Sequence, residues 1–164
     1  CVVTTHSNAD HCGGNAFLRR RTGCSAAATP LEACIIENTF MEPLLLWGAF
    51  PFAEITNRFL QAKPSRVDVL IIAPGAFDDS GLKAVPLPGH FLDMVGILTP
   101  DDVFFVADSV FSEALLEKYR IMFVMDVQAE LETLDLLVTP AADGNIHVVG
   151  ADDTLPVRGP VERR

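Results

Sequence analysis

Between residues 67 and 107 the chain passes through four short apolar stretches, VDVLII, LKAVPL, MVGIL and VFFVA, cut apart by PGAFDDSG, PGHFLD and TPDD. Each apolar stretch is too short for an ordinary helix, and each interruption has turn composition, so this part predicts strands paired through turns. SEALLEKY and DVQAELETLDLL then carry helical patterning, with IMFVM read as a further strand between them. Strands that first pair locally and then alternate with helices predict an α/β (α+β) chain built on a layered sheet core.

The part before this region is organised differently. CVVTT is short and β-branched and predicts a buried strand ending at Thr5. GNAFLRRRTG, residues 14–23, suits a short helix closed by a glycine after its last turn. TPLEACIIEN carries its own start signal, with Thr29 as N-cap, Pro30 at the first helical position and Glu32 completing a capping box. FMEPLLLWGAFPFAEITNRFLQAKPS is rich in aromatics and prolines and predicts a loop or irregular helix leading into a helix near residues 53–62. Such a segment suits a lid, a substrate wall or a dimer contact, and equally a core-packing excursion. From Thr139 onward the chain is turn-rich, with one expected strand, IHVV.

At 164 residues the chain is expected to form one domain spanning 1–164. A hydrophobic share of 49% and a mean hydropathy of +0.30 predict a packed globule rather than a disordered segment. No apolar run approaches the roughly 18–20 residues that span a bilayer, so no membrane partner is expected. The formal charge of −10 argues against nucleic acid, because no basic stripe exists to displace counterions. The RRR at residues 19–21 reads as a solvated helix face. Cys1, Cys12, Cys24 and Cys34 match no zinc-finger or disulfide framework and read as reduced, small hydrophobes of an intracellular, cytoplasmic protein. Beginning inside a strand without an initiator Met, the chain reads as the interior of a longer polypeptide, whose address tag lies outside it.

The chemistry concentrates in TTHSNADHCGG, residues 4–14. A strand that ends in a loop and starts a helix projects successive side chains into one small volume. His6 and Asn8, two apart, point the same way while the chain is extended, and Asp10 and His11 follow at the turn. Gly13 and Gly14 would let the backbone pass close beneath them. Imidazole and carboxylate donors suit zinc, iron or manganese, and capping with surface polarity is the plainer reading of the same residues. His90 follows a Pro-Gly turn between two apolar strands, as a ligand or as an ordinary turn histidine. Asp108 lies in the apolar run VFFVADSVF, where a carboxylate is costly unless paired, hydrogen-bonded or bound to metal. Its alternative role is to cap the next turn.

Taken in order, TTHSNADHCGGN, VPLPGH and FVADSVFSE resemble the signature of the metallo-β-lactamase-fold hydrolase superfamily over residues 2–137. That signature is T-H-x-H-x-D-H-x-G-G, then G-H after a strand, then an aspartate ending an apolar strand. The segment EPLLLWGAFPFAEITNRFLQAKPS also resembles a bacterial subgroup of the superfamily. The resemblance implies an αββα sandwich with a metal site at one edge between its sheets. It implies that His6 and His90 belong to a first metal position, with Asn8 where a histidine is expected. Asp10 and His11 would belong to a second, and Asp108 would bridge the two. One or two zinc ions, or iron or manganese, would acidify a water that attacks a small-molecule ester, thioester, amide or phosphoester, with Asp10 orienting that nucleophile.

Three departures qualify that expectation. Asn8 offers a neutral amide oxygen in place of imidazole, which weakens zinc binding. In LPVRGPV, Arg158 stands where the family places a further histidine, and a guanidinium repels a cation; His147 is the possible substitute, or a half-exposed strand residue. The family's N-terminal strands precede the motif, so this chain is expected to lack them, and an unpaired sheet edge favours a homo-oligomer. The main expectation is therefore a metal-dependent hydrolase with an altered site. Its rival is a degenerate, non-catalytic module of the same fold used for binding or assembly. A redox member with a di-iron centre runs against Asn8, since that group carries Glu at this position.

Overall fold

Ala26, Ala27 and Ala28 form the middle strand of a small parallel sheet and are almost wholly buried. The computed structural model describes residues 1–56, 59–142 and 147–150. The chain divides into two units, residues 1–72 and 73–164, and each carries its own sheet. In the first, β1 (Val2–Val3), β2 (Ala26–Ala28) and β3 (Val69–Leu70) pair in parallel in the order β1-β2-β3. Parallel neighbours need long crossovers, and helices supply them. The chain passes from β1 to β2 through α1 (Ala9–Cys12) and α2 (Asn15–Thr22), and from β2 to β3 through α3 (Pro30–Glu37) and α4 (Met41–Trp47). Small side chains let these helices close on the sheet: Ala9, Cys12, Ala28, Ala33, Ile36 and Ala62 form one buried cluster, with Val67 packed against it.

Local signals hold at α2 and α3. Gly23 ends α2 in the left-handed region (φ +70°), donating its N–H to the Arg19 carbonyl, and Thr29 and Pro30 stand at the start of α3. The capping box does not form. Thr29 makes no side-chain capping bond, and the Glu32 carboxylate accepts the N–H of Ser7, 2.8 Å away. The helix expected near residues 53–62 is absent from the described residues there. A single 3-10 turn at Ala53–Ile55 gives way to an extended Thr56, and residues 57 and 58 lie outside the described residues. Arg19 is also more than solvated surface: it pairs with Asp68 and donates to the Cys24 carbonyl at 3.2 Å, tying α2 to the entry of β3.

The second unit carries β4 (Gly75–Ala76), β5 (Lys83–Pro86), β6 (Val95–Leu98), β7 (Val103–Ala107) and β8 (His147–Gly150), in that order. The pairs β4-β5, β5-β6 and β6-β7 are antiparallel, while β8 runs parallel to β7. Leu87, Phe91, Met94, Val95 and Val106 are fully buried in this unit. LKAVPL, MVGIL, VFFVA and IHVV are thus strands of one sheet, as their composition predicts. VDVLII is not their neighbour, because β3 pairs in the first sheet. α5 (Glu113–Tyr119) is capped by Ser112, which accepts from the N–H of Leu115, and α6 (Val127–Ala142) runs past the predicted end at Leu137.

IMFVM forms no strand. Its backbone groups are committed elsewhere: the Phe123 carbonyl lies 2.9 Å from His90 Nδ1, and the Met125 N–H donates to the Gly89 carbonyl at 2.9 Å. The chain is therefore mixed α/β with two sheets and helices, the class that the sequence predicts. No helix among the described residues is long and apolar enough to cross a membrane. None of the four cysteines forms a disulfide; Cys12 is buried as expected of a small hydrophobe, but Cys1 and Cys34 are exposed.

Candidate functional site

In the first unit the polar cluster sits in the loop that leaves the C-terminal end of β1. The loop is shaped by hydrogen bonds from both sides. Thr4 donates its N–H to Ala27 on β2 at 2.9 Å, and Asn15 Nδ2 donates to Thr4 Oγ1 at 2.8 Å. The N–H groups of His11 and Cys12 both reach the Asn8 carbonyl at 2.9 Å, which makes the short helix α1. Gly13 is needed here, because a Cβ at that position would run into the Ala9 carbonyl oxygen; Gly14 faces open space, so only the first of the two glycines allows a close approach. The result brings His6 and His11 side by side, with ring centroids 4.1 Å apart. His6 is fully buried, and Thr5 Oγ1 lies 3.2 Å from its Nδ1. Asp10 is largely exposed, with a carboxylate oxygen 4.0 Å from His11 Nε2.

Two buried glutamates hold this loop from below. Glu32 on α3 takes the Ser7 N–H, and Glu42 on α4 takes both the Ala9 N–H at 3.1 Å and Asn8 Nδ2 at 2.9 Å through one oxygen. Burial pushes the Glu42 carboxyl up to about 7, against the lowering effect of the Asn8 and Ala9 donors. The Cys12 thiol is pushed up to about 12, again chiefly by burial, and Cys12 Sγ donates to the Ser7 carbonyl. That thiol stays protonated at neutral pH and is a packing group rather than a nucleophile. Glu42 escaped the sequence reading although a signal existed. It is an acid in the apolar run FMEPLLLW, and the desolvation argument applied to Asp108 applies equally to it.

In the second unit His90 sits in the turn between β5 and β6, as its Pro-Gly context predicts, and is buried. Its Nδ1 faces the Phe123 carbonyl, which can only accept, so that nitrogen carries the proton. The other nitrogen, Nε2, lies 3.4 Å from Asp108 Oδ2, and the Phe111 and Phe123 rings stand edge-on to the imidazole. Asp108 directly follows β7, where Ala107 adopts a positive φ of 48°, an uncommon conformation for a residue with a Cβ. The N-terminal end of α6 holds the turn. Met125 and Asp126 donate to the Gly89 carbonyl at 2.9 and 3.0 Å, and Thr133 Oγ1 donates to the Pro88 carbonyl at 2.7 Å. Glu130, which the sequence reading also missed, accepts the backbone N–H of His90, and its carboxyl is pushed up to about 6, mainly by burial and further by Asp108. A Cβ on Gly89 would fall on the Glu130 backbone, so glycine is required there for a second reason besides its φ of +134°.

These groups fit a divalent cation. A lone pair on His90 Nε2 facing a carboxylate oxygen needs a proton or a cation to offset their repulsion, and the fixed Nδ1–H is the arrangement seen for metal-binding histidines. His6 and His11 offer two adjacent nitrogen donors. Within the units, then, the structure brings together His6 with Asn8, Asp10 and His11, and His90 with Asp108. His147 lies in β8, and Arg158 lies outside the described residues.

A profile of the metallo-beta-lactamase superfamily matches residues 1–143. The chain belongs to that superfamily and has its metal-dependent, hydrolase-type fold. Among solved structures it is similar to TTHA1623 in a di-iron-bound form, with 19% identity, a TM-score of 0.66 and coverage of 96% of this chain and 71% of that one. It is similar to a metallo-beta-lactamase from Pontibacter korlensis at 17% identity and a TM-score of 0.60, covering 90% of this chain and 59% of the other. For the BLEG-1 B3 metallo-beta-lactamase the identity is 16% and the TM-score 0.64, over 92% of this chain and 68% of the other. The chain thus spans less than two thirds of the Pontibacter enzyme's length. No curated protein sequence gives a significant match.

Proposed function

We propose that the chain is a metal-dependent hydrolase in which metal-activated water attacks an ester-, thioester- or amide-type small-molecule substrate. The reading treats residues 1–164 as one working domain, supported by a family match that runs through both units. Its ligands are His6, Asn8 through Oδ1, Asp10, His11, His90 and Asp108. The observation that carries it is the His90 tautomer, fixed by Phe123 with Nε2 turned toward Asp108. One or two zinc, iron or manganese ions, when bound, supply Lewis acidity and a lowered pKa for water.

The chain's own residues do the positioning. The Phe123 carbonyl keeps the His90 proton on Nδ1, while Glu32 and Glu42 hold the backbone of the ligand loop. Asp10, open to solvent, accepts a proton from the attacking water and orients it. The strongly acidic charge favours a small-molecule substrate over nucleic acid. The edge of β1 favours pairing with a second copy.

Elemental analysis of the purified protein, with hydrolysis assays on chromogenic β-lactam, thioester and lactone substrates, tests the reading. One or two equivalents of transition metal are expected, with hydrolysis abolished and metal content reduced in both His6→Ala and Asp108→Ala. A folded chain that takes up no metal overturns the hydrolase and favours the non-catalytic binding or assembly module, toward which Asn8 and Arg158 point.

A further inference from the structure

Asn8 stands where the family signature has histidine, and its amide has two chemically different ends. Only Oδ1 has a lone pair to offer a cation; Nδ2 can only donate. Nothing intrinsic to an amide decides which end faces a metal. The decision comes from the neighbour. Nδ2 lies 2.9 Å from Oε1 of Glu42, an atom that also accepts the Ala9 N–H at 3.1 Å. Because Oε1 also takes the Ala9 N–H it acts as an acceptor in either protonation state, so it fixes the amide with nitrogen toward α4 and turns Oδ1 away from Glu42. Glu42 is only 2% exposed, so water does not compete for this bond. The Ala9 N–H holds the same oxygen in place, so the carboxylate cannot rotate away without stranding a buried donor.

We propose that Glu42 is a positioning residue whose carboxylate turns position 8 into an oxygen donor, and so biases the site from zinc toward a harder cation such as manganese(II). The proposal rests on the metal-centre reading. It gives the chain an outer carboxylate of the kind that orients metal-binding histidines, here acting on an asparagine. Oxygen donors suit manganese better than imidazole does, so the pair shifts relative preference rather than abolishing binding. A histidine at position 8 would hand its ring N–H to the same carboxylate and restore a nitrogen donor.

The test is a double-mutant cycle between positions 8 and 42, read as manganese(II) and zinc(II) dissociation constants by competition with a chromophoric chelator. Thermal melting of each variant, metal-free, confirms folding. Glu42→Leu, which removes the accepting oxygen that a glutamine would keep, is expected to weaken metal binding about tenfold in the wild-type background, the lower end for outer-shell partners. In an Asn8→Ala background the same change is expected to have no effect. Asn8→His is expected to raise the zinc-to-manganese affinity ratio about tenfold while Glu42 is present. Should Glu42→Leu fail to fold, Glu42→Asp, which keeps the charge but shortens the reach, replaces it with the same expectation. An equal loss in both backgrounds, or no loss in either, overturns the proposal, because Glu42 would then only brace the loop or do nothing for the metal. A wild-type chain that binds neither ion overturns the metal-centre reading itself, a different outcome from a failed cycle.

Discussion

Individual residues show where sequence logic succeeds and where it stops. His6, Asn8, Asp10 and His11 were legible as a cluster because they are close in the chain, and the fold keeps them together. Glu32, Glu42 and Glu130 were not, because their partners lie far away in sequence: Ser7 is 25 residues from Glu32, and Asn8 is 34 from Glu42. Glu32 looked like half of a capping box, and nothing local signals that it also takes the buried N–H of Ser7. Asp68 is a second hidden role. The Arg19 guanidinium, and then the Ala26 N–H, hold its carboxyl below the usual carboxylate range. A lowered folded-state pKa contributes stability above the unfolded value of about 3.9 and loses it as pH falls through the folded one. Asp68→Asn is therefore expected to lower the urea midpoint at pH 7, with the deficit shrinking as pH falls below the unfolded value. A deficit that keeps the same size as pH falls would show that the charge on Asp68 does not matter.

At the scale of elements, composition located most strands and helices of the second unit and misjudged two segments. IMFVM has a strand's composition, but strands need ladder partners, and this segment's N–H and carbonyl groups serve the His90 turn. VDVLII has the composition of a strand in the later sheet, yet its pairing with β2 is a long-range choice that no local pattern encodes. The same long-range logic makes α6 part of the His90 turn. Thr133→Val keeps the shape of the buried side chain and removes the donor to the Pro88 carbonyl. Equilibrium urea unfolding is expected to show a loss of about 1 kcal/mol with an unchanged slope. A change below about 0.3 kcal/mol would mean that this bond adds nothing to the turn.

For the whole molecule, the superfamily was legible from three motifs in order, and the profile match covers most of the chain. The substrate was not legible, because specificity depends on loop shape and on residues outside the signature. The proposed ligand set, which takes residues from each unit, makes one further expectation. An ion that binds only the folded chain stabilises it by about 2.7 kcal/mol at a hundred times its dissociation constant. Trp47, the sole tryptophan, reports on the first unit, and amide exchange in β6 and β7 reports on the second. Added metal is expected to raise both probes together and a chelator to lower both; a response confined to one unit would restrict the ligands to that unit.

The hydrogen bond from Thr133 to Pro88 spans 45 residues. During vectorial synthesis His90 therefore leaves the ribosome well before the helix that grips its turn exists. A nascent chain arrested short of Thr133 would display this imidazole without that grip, and the second unit would be competent to bind an ion only after α6 has emerged and docked.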